Sequence, residues 1–118
     1  MLDLWARCRE WLLPALSPED GSEQDLIVEI ATGRVQLWAG EASALVTEFV
    51  EEAEGPSLHI WLGGGDLGEL LALRAGLEAY ARGLGCACVT IDGRRGWSRV
   101  LRGHGYARAG VELKRKLR

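Results

Sequence analysis

Between Ser57 and Ile91 the chain changes its hydrophobic period twice, and no other feature restricts the fold as much. Ser57 to Leu62 reads as a short strand, and Gly63-Gly64-Gly65 as a glycine-rich turn. From Asp66 to Leu84 the apolar residues Leu67, Leu70, Leu71, Leu77, Ala81 and Leu84 recur at helical spacing, with Glu69, Arg74 and Glu78 among them. Gly76 weakens that helix without breaking it, and Gly83 and Gly85 end it. Cys86 to Ile91 is then a compact apolar strand. A strand, a helix long enough for a crossover and a second buried strand predict a parallel pair within an α/β sheet.

The rest of the chain fits around that unit. Upstream, Arg34 to Ala39 alternates Val35 and Leu37 against Gln36 and Trp38, and Ser43 to Glu51 is rich in β-branched and aromatic residues. The short links at Gly40-Glu41 and Glu52 to Pro56 predict that these strands and Ser57 to Leu62 form an antiparallel meander. At the start, Leu4, Trp5, Cys8, Trp11, Leu12 and Ala15 form one apolar stripe of a helix over Leu2 to Leu16, with Pro14 and Pro18 opposing its continuation. Ser22 with Asp25 three positions on has capping-box spacing, which predicts a second helix over Glu23 to Thr32 closed by Gly33. Downstream, Asp92-Gly93 predicts a turn, Trp97 to Arg102 a short helix, and Tyr106 to Lys116 a final strand or hairpin.

A length of 118 residues matches one domain over 1–118, and 47% hydrophobic residues are enough for a core. The formal charge of −3 argues against broad attraction to nucleic acid or to an acidic membrane. Charges interrupt every apolar run, and none approaches the length of a membrane span. Met1-Leu2-Asp3 lacks the basic start of a secretory signal, so the expected location is the cytoplasm. Cys8, Cys86 and Cys88 make neither an even disulfide set nor a metal-ligand spacing, so reduced thiols and no metal are expected. Five tryptophans in so short a chain are many, and some are expected at a partner or oligomer surface.

The order of two helices, three meander strands, a long helix, a strand, a short helix and a last strand resembles the GNAT-type acyl-CoA N-acyltransferases over nearly the whole chain. In that family the third meander strand splays from the next strand, and acyl-CoA lies in the resulting V with its pyrophosphate on the amides that open the long helix. The resemblance therefore implies acetyl-CoA or a related acyl-CoA as donor and an amine as acceptor. It implies a donor site at Leu62, Gly63, Gly64, Gly65 and Gly68. A helix start suits an anion because its N–H groups are unpaired and carry partial positive charge.

The chain departs from the family at two landmarks. The basic or Gln residue followed by G-x-G-x-G/A is missing apart from Gly68, and Asp66 and Glu69 stand where the pyrophosphate would bring negative charge. That leaves two readings of the helix start, a CoA site or a helix capped by its own carboxylate. Counting back from Gly105-Tyr106, which matches the family's Gly-Phe, the place of the Tyr general acid is Leu101. Gly93-Arg94-Arg95-Gly96-Trp97 resembles instead a divergent GNAT-like group of bacteriophage and prophage genomes.

Other residues remain as candidates for the chemistry. His59, of a residue type whose usual pKa lies near working pH, is with Glu48 on the neighbouring strand a candidate general base; the simpler reading is a hydrogen-bonded histidine at the sheet surface and a solvated carboxylate. His104 and Tyr106 lie nearer the missing acid. Arg94, Arg95, Arg99 and Arg102, with Lys114, Arg115, Lys116 and Arg118, form a basic cluster suited to the 3′-phosphate of CoA, a nucleic acid or an acidic partner, and equally read as a solvated helix face and frayed terminus. Two functions remain in play. One is an N-acyltransferase acting by direct amine attack. The other is a non-catalytic GNAT-fold binding or assembly protein, such as a phage structural or host-interaction component, which would be virion-associated.

Overall fold

The computed structural model describes residues 2–92, 101–109 and 112–117. Its elements are α1 (Leu2–Leu12), α2 (Glu23–Ala31), β1 (Val35–Ala39), β2 (Ser43–Glu52), β3 (Gly55–Gly65), α3 (Leu67–Gly83), β4 (Cys88–Asp92), β5 (Ala107–Ala109) and β6 (Glu112–Lys116), with single 3₁₀ turns at Leu13–Ala15, Pro18–Asp20 and Arg102–His104. The described strands form one mixed sheet in the order β1-β2-β3-β4-β6-β5. Only β3 and β4 run parallel, joined by α3 as the crossover, and the other pairs are antiparallel. The architecture is α+β.

Alternation along the strands sends side chains to two cores. Leu45, Leu58, Ile60, Val89, Ile91 and Leu113 pack under α3 through Leu70, Leu77 and Ala81. Val35, Ala44, Val46 and Leu62 face the other way, onto Trp5, Cys8 and Leu12 of α1 and Leu26 of α2. Helices thus cover both faces, although α1 and α2 pack only on the β1–β3 side.

Local chemistry explains most of the element ends. The first helix stops at Leu12, short of the expected Leu16, because Pro14 lacks the N–H that the next turn needs, and a 3₁₀ turn replaces it. Ser22 Oγ accepts from Asp25 N at 3.2 Å while Asp25 Oδ2 accepts from Ser22 N at 3.0 Å, which is the expected reciprocal cap. Gly33 and Gly85 take positive φ after α2 and α3. The predicted final hairpin is present as β5 and β6, with β6 inserted between β4 and β5. The expected helix over Trp97 to Arg102 lies largely outside the described residues.

One expectation is corrected. Gly63-Gly64-Gly65 is not a turn but the end of β3, paired with Leu45, Ala44 and Ser43 of β2. The helix begins directly at the strand's end. Within the same strand Val46 opposes Leu62 and Thr47 opposes Ile60, so Trp61 is an extra, unopposed residue, a β-bulge. Trp61 and Leu62 consequently pack against the same core although they are adjacent in sequence.

α1 is tied to α2 by charge. Glu23 accepts from Arg9 Nε and Nη2 at 2.8 and 2.9 Å and from the Trp5 indole N–H at 2.8 Å. These bonds, the Arg9 pair first, hold the Glu23 carboxyl at about 2, down from the usual 4.5. A carboxyl with a folded-state pKa below its unfolded one adds stability above about pH 4.5 that is lost as pH falls toward 2. Melting temperatures of the wild type and Glu23→Gln should therefore differ at pH 5 and converge at pH 2.

Candidate functional site

The donor groove implied by the sequence falls beside β3 and β4. Among the described residues their parallel ladder runs from Ser57 opposite Cys88 to Ile60 opposite Ile91, β3 continues through Gly65, and residues 93–100, which follow β4, lie outside the described residues. The bulge at Trp61 follows the last described β3–β4 pair. Beside that pair, on the α3 side, a small space lies among Ile60, Leu70, Arg74, Ile91, Leu101 and Tyr106. Its volume is about 10 Å³, no more than a single water needs.

The helix start beside this groove is occupied. Asp66 is the N-cap of α3 and its Oδ2 accepts from Glu69 N at 2.9 Å. The same oxygen lies 3.4 Å from where a Cβ on Gly68 would be, so the carboxylate hangs over the first turn. Glu69 reaches the other way. Its carboxylate accepts from Ala42 N at 3.0 and 3.2 Å and from the buried Ser43 hydroxyl, locking the first turn of α3 onto the β1–β2 connection. Gly40 makes room for it, since a Cβ there would sit 1.8 Å from Glu69 Oε1.

The glycines have comparable reasons of their own. A Cβ on Gly64 would be 2.3 Å from the Trp11 carbonyl oxygen, and one on Gly65 would be 2.3 Å from the Ala42 carbonyl oxygen. Gly63 is filled by the Leu45 side chain, with a would-be contact of 2.6 Å. The run lets α1 and the β1–β2 connection approach β3 closely, so its flanks are already occupied by protein atoms.

His59 and Glu48 are brought together as cross-strand neighbours on β3 and β2. His59 Nδ1 lies 2.7 Å from Thr90 Oγ1 on β4, and the register continues to Lys114 on β6. Glu48, His59, Thr90 and Lys114 thus form one polar row across the face opposite α3. Leu62 is buried among α1 residues. Arg94 lies outside the described residues, as does Trp97. The other four tryptophans are buried or half-buried: Trp5, Trp11 and Trp61 against the α1 core and Trp38 against the α3 core, where its ring meets Tyr80 edge-on at 5.4 Å.

The basic tail divides between the two faces. Lys114 and Lys116 lie on the face with His59, whereas Arg115 turns inward to Glu78 of α3. Glu78 was not singled out by sequence reasoning and is the most heavily partnered buried charge described. Arg74 Nη1 donates to both its oxygens at 3.0 and 3.1 Å, the Tyr106 hydroxyl donates at 2.9 Å, and Arg115 Nε lies at 3.3 Å. Burial, and next the neighbouring Glu78 charge, push the Tyr106 hydroxyl well above the usual tyrosine range. The only early signal was a glutamate on an otherwise apolar helix stripe.

No family model, curated protein or solved structure matches this chain. Among the described residues no His, Cys, Asp and Glu side chains group as a metal site, and no helix is long and apolar enough to cross a membrane.

Proposed function

We propose that this chain is a GNAT-like binding or assembly protein whose acyl-donor site is taken by its own side chains. The element order, the parallel β3–β4 pair joined by α3 and the bulge at Trp61 support the GNAT-like part of the reading. The observation that carries the rest is the double use of carboxylates at the opening of α3, Asp66 on the Glu69 amide and Glu69 on Ala42 and Ser43. A pyrophosphate placed there would meet Asp66 at close range. Two like charges about 4 Å apart repel by about 4 kcal/mol at an effective dielectric of 20. The described space under α3 beside Ile60 and Ile91 is no larger than a single water needs.

Tyr80 near the end of α3 and Leu84 at its C-cap are partly exposed and give a partner-binding protein apolar contact area. A phage-type structural or host-interaction role is consistent with a retained scaffold that has lost its chemistry.

An N-acyltransferase is the second reading, favoured by the bulge at Trp61 and the run of β3 on past Ile60. In it His59, held by Thr90 and beside Glu48, would take the proton from the attacking amine. Melting the full chain with and without 1 mM acetyl-CoA separates the two. The expected result is no change. A ligand at a hundred times its Kd adds about 2.7 kcal/mol, so a rise of several degrees would replace the binding-protein reading with the enzymatic one.

A further inference from the structure

We propose that a second pocket, on the sheet face opposite α3 and away from the donor groove, binds a small zwitterion of the free amino acid class. It lies on the face opposite α3, where the register sets Glu48, His59, Thr90 and Lys114 in one row and Val50, Ser57, Cys88 and Lys116 in the next. The cavity measures about 410 Å³. That falls within the roughly 300–1,000 Å³ of small-molecule sites. It sits at the end of the sheet where β4 begins, about 10 Å along the strands from the last described β3–β4 pair at Ile91, given about 3.3 Å per residue.

The walls carry opposite charge. Glu52 and Glu54 approach from the end of β2 and the β2–β3 connection, and Lys114 and Lys116 from β6, with Gly55 and Cys88 between them. Glu52 is held in place, since the fully buried Ser57 hydroxyl donates to its Oε1 at 3.0 Å. Lys114 Nζ lies 3.9 Å from Glu52 Oε2, across the two intervening strands. That separation holds the charges together without a hydrogen bond. A ligand carboxylate can therefore take donors from Lys114 and Lys116 while its ammonium group donates to Glu52 and Glu54. The charged lining sums to zero, so a simple anion or cation meets an opposing wall, whereas a dipolar molecule meets a matching one on each side. This inference does not depend on the donor groove being closed.

Isothermal titration of the full chain with glycine, L-glutamate and L-lysine tests it, with acetate and methylammonium as single-charge controls. At least one amino acid should bind with a Kd below about 1 mM, and each control at least about tenfold more weakly. Lys114→Met and Glu54→Gln should each weaken that binding by about tenfold, the scale of one charge-assisted contact, while the ligand-free protein melts within a few degrees of wild type. Absence of binding by all three amino acids, equal binding of acetate, or indifference to both substitutions would overturn the proposal. Acetyl-CoA should leave these titrations unchanged, which keeps this test separate from that of the donor groove.

Discussion

Glu78→Ala is expected to lower stability by about 3–5 kcal/mol, the usual result of removing one partner from a buried ion pair. Glu78 is only 3% exposed and accepts from Arg74 and Tyr106 while pairing with Arg115. Its loss leaves the Arg74 guanidinium without its carboxylate and leaves Arg115 only its bond to the His104 carbonyl, while the Nε atoms of both already lack a hydrogen bond. The Tyr106 hydroxyl loses its acceptor as well. For a domain of this size the melting point should fall by roughly 10–20 °C. Tyr106→Phe, which removes one hydrogen bond to a charged acceptor, should cost only about 1.5–3 kcal/mol. Calorimetry of the two variants decides the matter. A Glu78→Ala melting point within a few degrees of wild type would mean that the network holds neither α3 nor the C-terminal strands in place.

Gly65→Ala should be nearly as severe, at about 2–5 kcal/mol. Its φ of +107° is one that L residues rarely adopt, a strain of about 1–3 kcal/mol. The new Cβ would also fall 2.3 Å from the Ala42 carbonyl oxygen and 2.5 Å from Ser43 Cα, backbone atoms that no rotamer change can move. Overpacking of that kind adds about 1–3 kcal/mol. Gly68→Ala is the informative contrast. Its Cβ would meet only Asp66 Oδ2 at an ordinary 3.4 Å, so stability should change by less than about 0.5 kcal/mol. Glycines kept for the approach of a ligand would show the reverse, with unchanged stability at Gly65 and lost binding at both. Urea denaturation of the two variants, each with and without acetyl-CoA, distinguishes these cases.

The two substitutions probe opposite sides of what could be read in advance. The glycine run was conspicuous, and its position between a strand and a long helix was correct. Its role was misjudged because a glycine needed for a turn and one needed for close packing look alike in one dimension. The packing partners, Trp11 and Ala42, lie far away along the chain. Asp66 was legible as a cap because its target amide is three residues on. Glu69 was legible only as an obstacle to an anion. That it holds Ala42 and Ser43 required α3 to be set against the β1–β2 connection.

The bulge at Trp61 was hidden for a related reason. An extra residue in a strand shows only when its partner strand is counted against it, and β2 reads as a regular strand by itself. The pairing of His59 with Glu48 and the split of the basic tail between two faces likewise follow from register.

Hydrophobic period, caps and short links act within a few residues of one another, and they were enough to determine α1 to α3, the meander and the parallel crossover from the amino-acid order. Close approach, strand register and buried charge join residues distant along the chain. Whether the opening of α3 is vacant or filled, and which face each lysine and arginine of the tail occupies, was therefore decided only when the sheet and its helices came together.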